Sequence, residues 1–201
     1  MTIRQLIAAA ALFLPLAATA VELPLHRDLN TIKVNAQTRR TELIFFSSEQ
    51  DALAKPFDQS PFYLSLNGTW DFKYAADESE LPAGWSSIKV PGNWEFQGWG
   101  TPVYINIPYD FAPEDPQPPL LPDRIPVGVY RRSFTVPEAW KGRAVYLNIC
   151  GAKSGVYVYV NGTEIGYNED SKDLARYPLN EYLKEGDNEL QIKCFRYSTG
   201  S

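Results

Sequence analysis

The sequence predicts an all-β fold, a jelly-roll-like antiparallel β-sandwich, and three observations support this prediction. From Gly128 to Asp170, apolar residues recur at every second position, which indicates strands that bury one face. Asn161-Gly162 separates two of these runs, and Asn-Gly is a strong hairpin signal. An aromatic content of 13% fits a β-rich protein. The strands predicted in this stretch are Tyr130–Val136, Val145–Ile149, Val156–Val160 and Thr163–Tyr167.

Residues 1–20 are predicted to be a signal peptide. Arg4 precedes an apolar run from Leu6 to Ala18, and Ala18-Thr19-Ala20 has the small-x-small form of a cleavage site. The run is short for a membrane span of ~20 residues, although a membrane anchor is the alternative. We therefore expect an exported protein, periplasmic or extracellular.

Residues 21–60 are predicted to be an extended arm with one short helical turn. Most of the arm lacks periodicity, so it buries little by itself. Ser48-Glu-Gln-Asp51 has the form of a capping box, and Pro56 must end the turn that follows it.

Residues 61–201 are predicted to form the sandwich. Phe62–Leu66 and Thr69–Ala75 flank Asn67-Gly68, which predicts another hairpin, and Ile88–Val90 forms a short strand. Both Asn-Gly pairs also begin Asn-Gly-Thr sequons, so N-glycosylation is the alternative to a turn.

The segment 93–126, which we call the flap, loses strand character. Eight of the 16 prolines crowd into its residues 102–126. Long irregular segments in compact domains are usually functional, and prolines lower the entropic cost of holding a side chain in place. A rigid surface loop without a ligand is the alternative.

The last part of the chain is predicted to hold a loop, Tyr177–Gly186, with a helical turn starting at Asn180, and a strand, Glu189–Tyr197. Arg196 shares the inward face of this strand, so we expect a carboxylate or carbonyl partner for it. Cys150 and Cys194 fall on opposite strand faces, which predicts two unpaired thiols. The single histidine, His26, is predicted to lie at the surface.

Composition and motifs limit the function classes. A net charge of -5 without any Lys/Arg cluster argues against nucleic acid. The sequence lacks a nucleophilic-serine motif, HExxH, a P-loop and GxGxxG. Glu169 and Asp170 are adjacent and must point to opposite faces of a strand, so they cannot act as a catalytic pair on one bond. We therefore predict no catalytic residue in this chain.

Six segments share their order and spacing with a known family: LSLNGTWDFKY, VPGNWEFQGWGTPVYINIPYDF, GVYRRSFTVPEAWKG, GAKSGVYVYVNGTEIGY, EDS and CFRYSTGS. They resemble the N-terminal sugar-binding domain of glycoside hydrolase family 2, most closely that of the long bacterial β-galactosidases. The resemblance covers about residues 27–201 and implies a galactose-binding-domain-like sandwich.

The resemblance also implies an activity for a longer parent protein. Family members hydrolyse terminal β-D-galactosyl residues with retention, using two glutamates on a later (β/α)8 barrel. We expect the chain to stop before the last sandwich strand and before that barrel, and so to be an inactive fragment. Its expected partners are the β-galactoside and the C-terminal domains of the same polypeptide, and a homo-oligomeric parent is left open. A β-glucuronidase or β-mannosidase parent, or a stand-alone carbohydrate-binding module, is the alternative.

The resemblance assigns two binding residues. Asn106, in VYINIPYD, matches an asparagine that hydrogen-bonds sugar hydroxyls, and Asp170, in YNEDS, matches an aspartate that contacts the galactosyl unit and helps to ligate sodium. Magnesium would belong to the catalytic domain. Local backbone hydrogen bonds are the alternative role for both residues. Trp99 is a candidate for stacking on sugar, with packing inside the flap as its alternative. Gly100 stands where the family often has an acidic residue.

Overall fold

The structure, a computed structural model, describes residues 23–38, 40–103, 111, 115, 117 and 119–201. This part of the chain contains one α-helix, α1 (Glu49–Ala54), and nine strands. The strands are β1 (Lys33–Val34), β2 (Gly68–Ala75), β3 (Ser86–Val90), β4 (Val127–Thr135), β5 (Tyr146–Ile149), β6 (Gly155–Val160), β7 (Thr163–Asn168), β8 (Ala175–Pro178) and β9 (Asp187–Phe195). The predicted signal peptide lies outside the described residues. None of the helices described is long and apolar enough to cross a membrane.

The strands form two antiparallel sheets. The large sheet has the order β1-β7-β6-β9-β4-β2-β3, and β5 and β8 form a small sheet. The longest pairing joins β4 to β9, from Val127 opposite Phe195 to Thr135 opposite Asp187. This arrangement confirms the predicted all-β, antiparallel fold.

The β6–β7 hairpin forms as predicted. Asn161 has φ 51° and Gly162 has φ 82°, both in the left-handed region that the tight turn requires. The Asn161 side chain donates to the carbonyl of Tyr182 and to Oδ1 of Asn188, each at 2.8 Å. Its own Oδ1 accepts from the Glu189 backbone amide at 3.0 Å. The turn is therefore tied to the start of β9.

The hairpin predicted at Asn67-Gly68 is wrong. Gly68 begins β2 opposite Val90 of β3, and residues 62–66 form no strand. β2 already has β3 and β4 as its two partners, so it has no free edge for another strand. The Leu66 carbonyl instead accepts from Trp70 Nε1 at 2.7 Å and from Arg132 Nη1 at 2.8 Å.

The loop predicted over Tyr177–Gly186 is also partly wrong. Tyr177 belongs to β8 and pairs with Leu147 of β5. Asn180 begins a turn closed by the hydrogen bond from the Tyr182 amide to the Leu179 carbonyl at 2.9 Å, and no helix forms there. Two other predictions are confirmed: Ser48 Oγ caps α1 by accepting from the Asp51 amide at 3.1 Å, and the two cysteines are unpaired.

The inner face of the large sheet packs against the small sheet. The core between them is aromatic and aliphatic, and its largest buried members are Trp70, Phe72, Trp94, Phe134, Tyr177 and Leu190. Two strands cover only part of a seven-stranded face. A groove of about 1600 Å³ therefore opens beside the core, lined by apolar residues such as Trp70, Phe134 and Ile192.

The outer face of the large sheet is covered by the beginning of the described chain. His26 is buried, stacks on Phe195 with ring centroids 4.0 Å apart, and has its Nδ1 3.0 Å from Tyr157 Oη. The prediction that His26 lies at the surface is wrong, because the arm packs on the aromatic outer face of the sheet. The arm has no apolar periodicity that would predict this packing. Burial, with help from Arg27, lowers the pKa of His26 to about 4.

Candidate binding site at the end of strand β7

Asp170 lies two residues after Asn168, the last residue of β7, and is exposed. Its Oδ1 accepts from the Lys172 backbone amide at 3.3 Å, which is the local turn contact considered as an alternative role. The Asn168 side chain donates to the Asp170 carbonyl at 2.9 Å. The main chain of Asp170 is therefore held while its carboxylate faces solvent.

Glu169 has the opposite environment and is only 4% exposed. Its carboxylate accepts from Tyr167 Oη at 3.0 Å, from Thr199 Oγ1 at 3.1 Å and from the Gly200 amide at 3.2 Å. Burial, reinforced by the Glu169 carboxylate, raises the pKa of Tyr167, so its hydroxyl remains a donor at neutral pH. The two adjacent acids thus face different surroundings, as strand geometry predicts.

The flap is anchored at this end of the sheet. Arg196, just after β9, donates to the Thr101 carbonyl at 3.0 Å and lies 3.4 Å from Glu95 Oε1. This confirms the predicted carbonyl or carboxylate partner of Arg196. At the other end of the flap, Arg27 Nη2 donates to the Pro122 carbonyl at 2.7 Å.

Further flap residues meet the C-terminal segment, residues 196–201. The ring centroids of Phe111 and Tyr197 are 4.7 Å apart. Leu121 shares a small cavity with Ser198 and Thr199. The two ends of the flap, near Thr101 and near Leu121, therefore both lie close to the segment that also binds the Glu169 carboxylate. Asn106 itself lies outside the described residues, and its role remains a prediction.

Trp99 packs inside the aromatic core. Its ring centroid lies 5.4 Å from that of Phe72 and 6.4 Å from that of Tyr74, both on β2. β2 is four strand spacings from β7, or roughly 19 Å at ~4.8 Å per spacing. The structure therefore does not bring Trp99 and Asp170 together, and its contacts favour packing over sugar stacking.

Gly100 departs from the family pattern for a steric reason. Its φ is 71°, and a Cβ there would lie 2.6 Å from Tyr74 Oη. An acidic residue at this position would need both a disfavoured backbone and a displaced tyrosine. The close approach of Tyr74 explains glycine here.

Asp170 is the right ligand type for sodium, since hard cations prefer carboxylate oxygen. Across the ranges that the structure describes, no three His, Cys, Asp or Glu side chains gather at one point. A cation at Asp170 would therefore need oxygen ligands from main chain, water, sugar or other residues. Asp170 fits as one ligand of such a site and not as a complete one.

The structure defines an antiparallel β-sandwich domain with an exposed carboxylate at a strand end and an anchored flap. Residues 63–201 match the family model described as glycosyl hydrolases family 2, sugar binding domain. The chain belongs to glycosyl hydrolase family 2, which confirms the resemblance found in its motifs.

Curated relatives are bacterial β-galactosidases. The chain is 33% identical over 181 residues to that of Priestia megaterium, covering 84% of this chain and 18% of the relative. It is 38% identical over 166 residues to that of Psychromonas ingrahamii, covering 78% and 16%. The chain thus spans about one sixth of the length of these relatives.

Solved structures with a similar fold include other glycosidases. A Faecalibacterium prausnitzii β-glucuronidase matches with a TM-score of 0.48 and 21% identity, covering 65% of this chain and 20% of that one. A Dictyoglomus thermophilum β-D-mannosidase matches with a TM-score of 0.45 and 24% identity, covering 66% and 15%. Likeness at this level does not distinguish among sugars.

Proposed function

We propose that the chain is the N-terminal sugar-binding domain of a retaining β-galactosidase. The observation that carries the proposal is the exposed carboxylate of Asp170 at the end of the sheet where Arg196 anchors the flap, in a chain whose curated relatives are β-galactosidases. In this proposal Asp170 accepts hydrogen bonds from galactosyl hydroxyls, and Asn106 adds a carboxamide from the flap.

The proposed contribution to catalysis is positioning. Groups that fix a substrate in its reactive geometry lower the barrier without taking part in bond breaking. Asp170 also offers one oxygen ligand to sodium, and a bound sodium ion would attract the oxygen atoms of the sugar. Magnesium is proposed only for the catalytic domain.

The bond-breaking acids are proposed to lie elsewhere in the polypeptide. A retaining mechanism needs two carboxyl groups about 5 Å apart that converge on one carbon. The Glu169 carboxylate accepts hydrogen bonds from Tyr167, Thr199 and Gly200, whereas the Asp170 side chain is exposed. These two acids are therefore not such a pair, and the chain alone is proposed to be inactive.

The charge of the site favours a neutral sugar. A β-glucuronide brings its own carboxylate, which the negative charge of Asp170 would disfavour, whereas a galactoside brings only hydroxyls. A panel of aryl β-galactoside, β-glucuronide and β-mannoside, assayed with the full-length polypeptide, tests this choice. The highest kcat/KM is expected for the galactoside, and a preference for either other sugar would overturn it.

The site assignment has its own test. In the full-length polypeptide, Asp170→Ala is expected to lower kcat/KM for an aryl galactoside about 10- to 100-fold, the value of a lost charged hydrogen bond. Glu185→Ala is the matched control, because it removes an exposed carboxylate near the opposite end of the sheet. If both variants match the wild type, Asp170 is not in the site.

We also propose that the protein is exported, on the strength of residues 1–20. N-terminal sequencing of the mature protein is expected to begin at Val21. Retention of Met1 would contradict this proposal.

A further inference from the structure

Glu169 places a carboxylate where strand parity and burial would suit an apolar side chain. Removing a carboxylate from water costs free energy unless donors replace the lost hydration. Tyr167, Thr199 and Gly200 supply three such donors, all of them neutral groups. Gly200 lies close enough that a Cβ on it would be 3.1 Å from Glu169 Cγ. The three donors satisfy the carboxylate, and the glycine leaves room for the Glu169 side chain.

The main chain of Glu169 is held from the other side. Its amide donates to the Ile32 carbonyl at 3.1 Å, next to β1, and Asn168 pairs with Lys33. Glu169 therefore joins β7 to the arm through its main chain and to residues 198–201 through its side chain. Because both sets of contacts fix the backbone at Glu169, they also fix the orientation of the next residue, Asp170.

The same C-terminal segment is attached to the flap. Arg196 binds the Thr101 carbonyl and Tyr197 contacts Phe111, while Thr199 and Gly200 bind Glu169. Satisfied polar networks fix one geometry more strictly than non-directional apolar contacts do. The network around Glu169 therefore sets the position of β7's end relative to the flap.

We propose that Glu169 is a positioning residue for Asp170. Its buried carboxylate locks the end of β7 to residues 198–201 and so fixes where the Asp170 carboxylate points relative to the flap. The inference rests on the proposed function, because it gives Asp170 a sugar to bind. Glu169 itself touches no substrate in this scheme.

Steady-state kinetics of the full-length polypeptide on an aryl β-galactoside test the inference. Glu169→Ala is expected to lower kcat/KM about tenfold, because Asp170 is then misplaced. In the Asp170→Ala background the same change is expected to cost nothing further, since no carboxylate remains to be positioned. Glu169→Gln is expected to stay within about threefold of the wild type, because its amide oxygen can still accept from Tyr167 and Gly200 while the Thr199 hydroxyl rotates to accept from its amide nitrogen.

The results that would overturn the inference are distinct. Losses that add fully in the double variant would show that Glu169 acts independently of Asp170. A Glu169→Ala protein with a lower melting temperature and wild-type kcat/KM would show a role in stability alone. An unchanged kcat/KM for Asp170→Ala would overturn the proposed function, and the inference with it.

Two further variants keep the test decisive if Glu169→Ala does not fold. Thr199→Val removes one donor at nearly constant shape and is expected to cost about threefold, again only while Asp170 is present. Full additivity with Asp170→Ala would again overturn the inference. Asn188→Ala is the structural control. Asn188 is buried and lies six residues before Cys194 on β9, which places it about 20 Å from the end of the sheet that holds Glu169. It is expected to lower the melting temperature and leave kcat/KM within about twofold.

Discussion

Glu169 and Asp170 are neighbours in the chain, and their environments show how a strand end can divide two acids between different tasks. One carboxylate is enclosed by three donors, and the other faces solvent beside a local turn. Alternation along the strand accounts for this division, and it could be predicted from sequence. Tyr167 is a local donor to Glu169, but Thr199 and Gly200 lie 30 and 31 positions away, so no local pattern could have identified them.

At the same scale, the pKa of His26 makes a stability prediction. The folded state holds this pKa at about 4, below the value of about 6.5 in the unfolded chain. The neutral imidazole therefore contributes stability above pH 6.5, and that contribution is lost as pH falls towards 4. The expected loss is about 3 kcal/mol between pH 7 and pH 4.

Urea denaturation at several pH values measures this loss. His26→Asn keeps an acceptor near the position of Nδ1 but does not titrate, so it is the matched variant. Its free energy of unfolding is expected to fall less steeply over the same range. Parallel pH profiles for the two proteins would contradict the assignment.

At the scale of elements, the β6–β7 hairpin was the best-predicted feature because its Asn-Gly turn is a local requirement. Asn67-Gly68 has the same letters and forms no hairpin, because β2 is already paired on both edges. β8 was missed because a four-residue strand ending in Pro178 carries too short a pattern to recognise. Tertiary pairing, which sequence does not display, decided both cases.

A matched pair of glycines tests the turn. An added Cβ meets nothing within 4 Å at either Gly162 or Gly84, but only Gly162 has a positive φ. Gly162→Ala is expected to cost about 1 kcal/mol of stability, whereas Gly84→Ala should be neutral or slightly stabilising. Equal effects in chemical denaturation would contradict the backbone argument.

At the scale of the whole molecule, the large sheet is covered unevenly. The arm and the end of the flap close its outer face, while the small sheet leaves a groove of about 1600 Å³ on the inner face. Contiguous apolar surface of this kind on a soluble domain is often a binding or interaction site. Composition and strand patterns predicted the sandwich, but not how much of it two short strands would cover.

The groove predicts how the isolated chain behaves. A polypeptide of residues 21–201 is expected to unfold cooperatively and, while folded, to enhance the fluorescence of a hydrophobic dye, because the apolar lining admits it. It is also expected to leave aryl galactosides intact. A folded chain that gives no enhancement would contradict an open groove, and hydrolysis that co-purifies with the chain would contradict its proposed inactivity.

The most direct measurement is a crystal structure of the full-length polypeptide with a bound galactoside analogue. A carboxylate oxygen of Asp170 is expected within about 2.7 Å of a sugar hydroxyl, at the end of β7 and facing the flap. A sugar bound elsewhere, with no sugar hydroxyl in contact with the Asp170 carboxylate, would contradict the account.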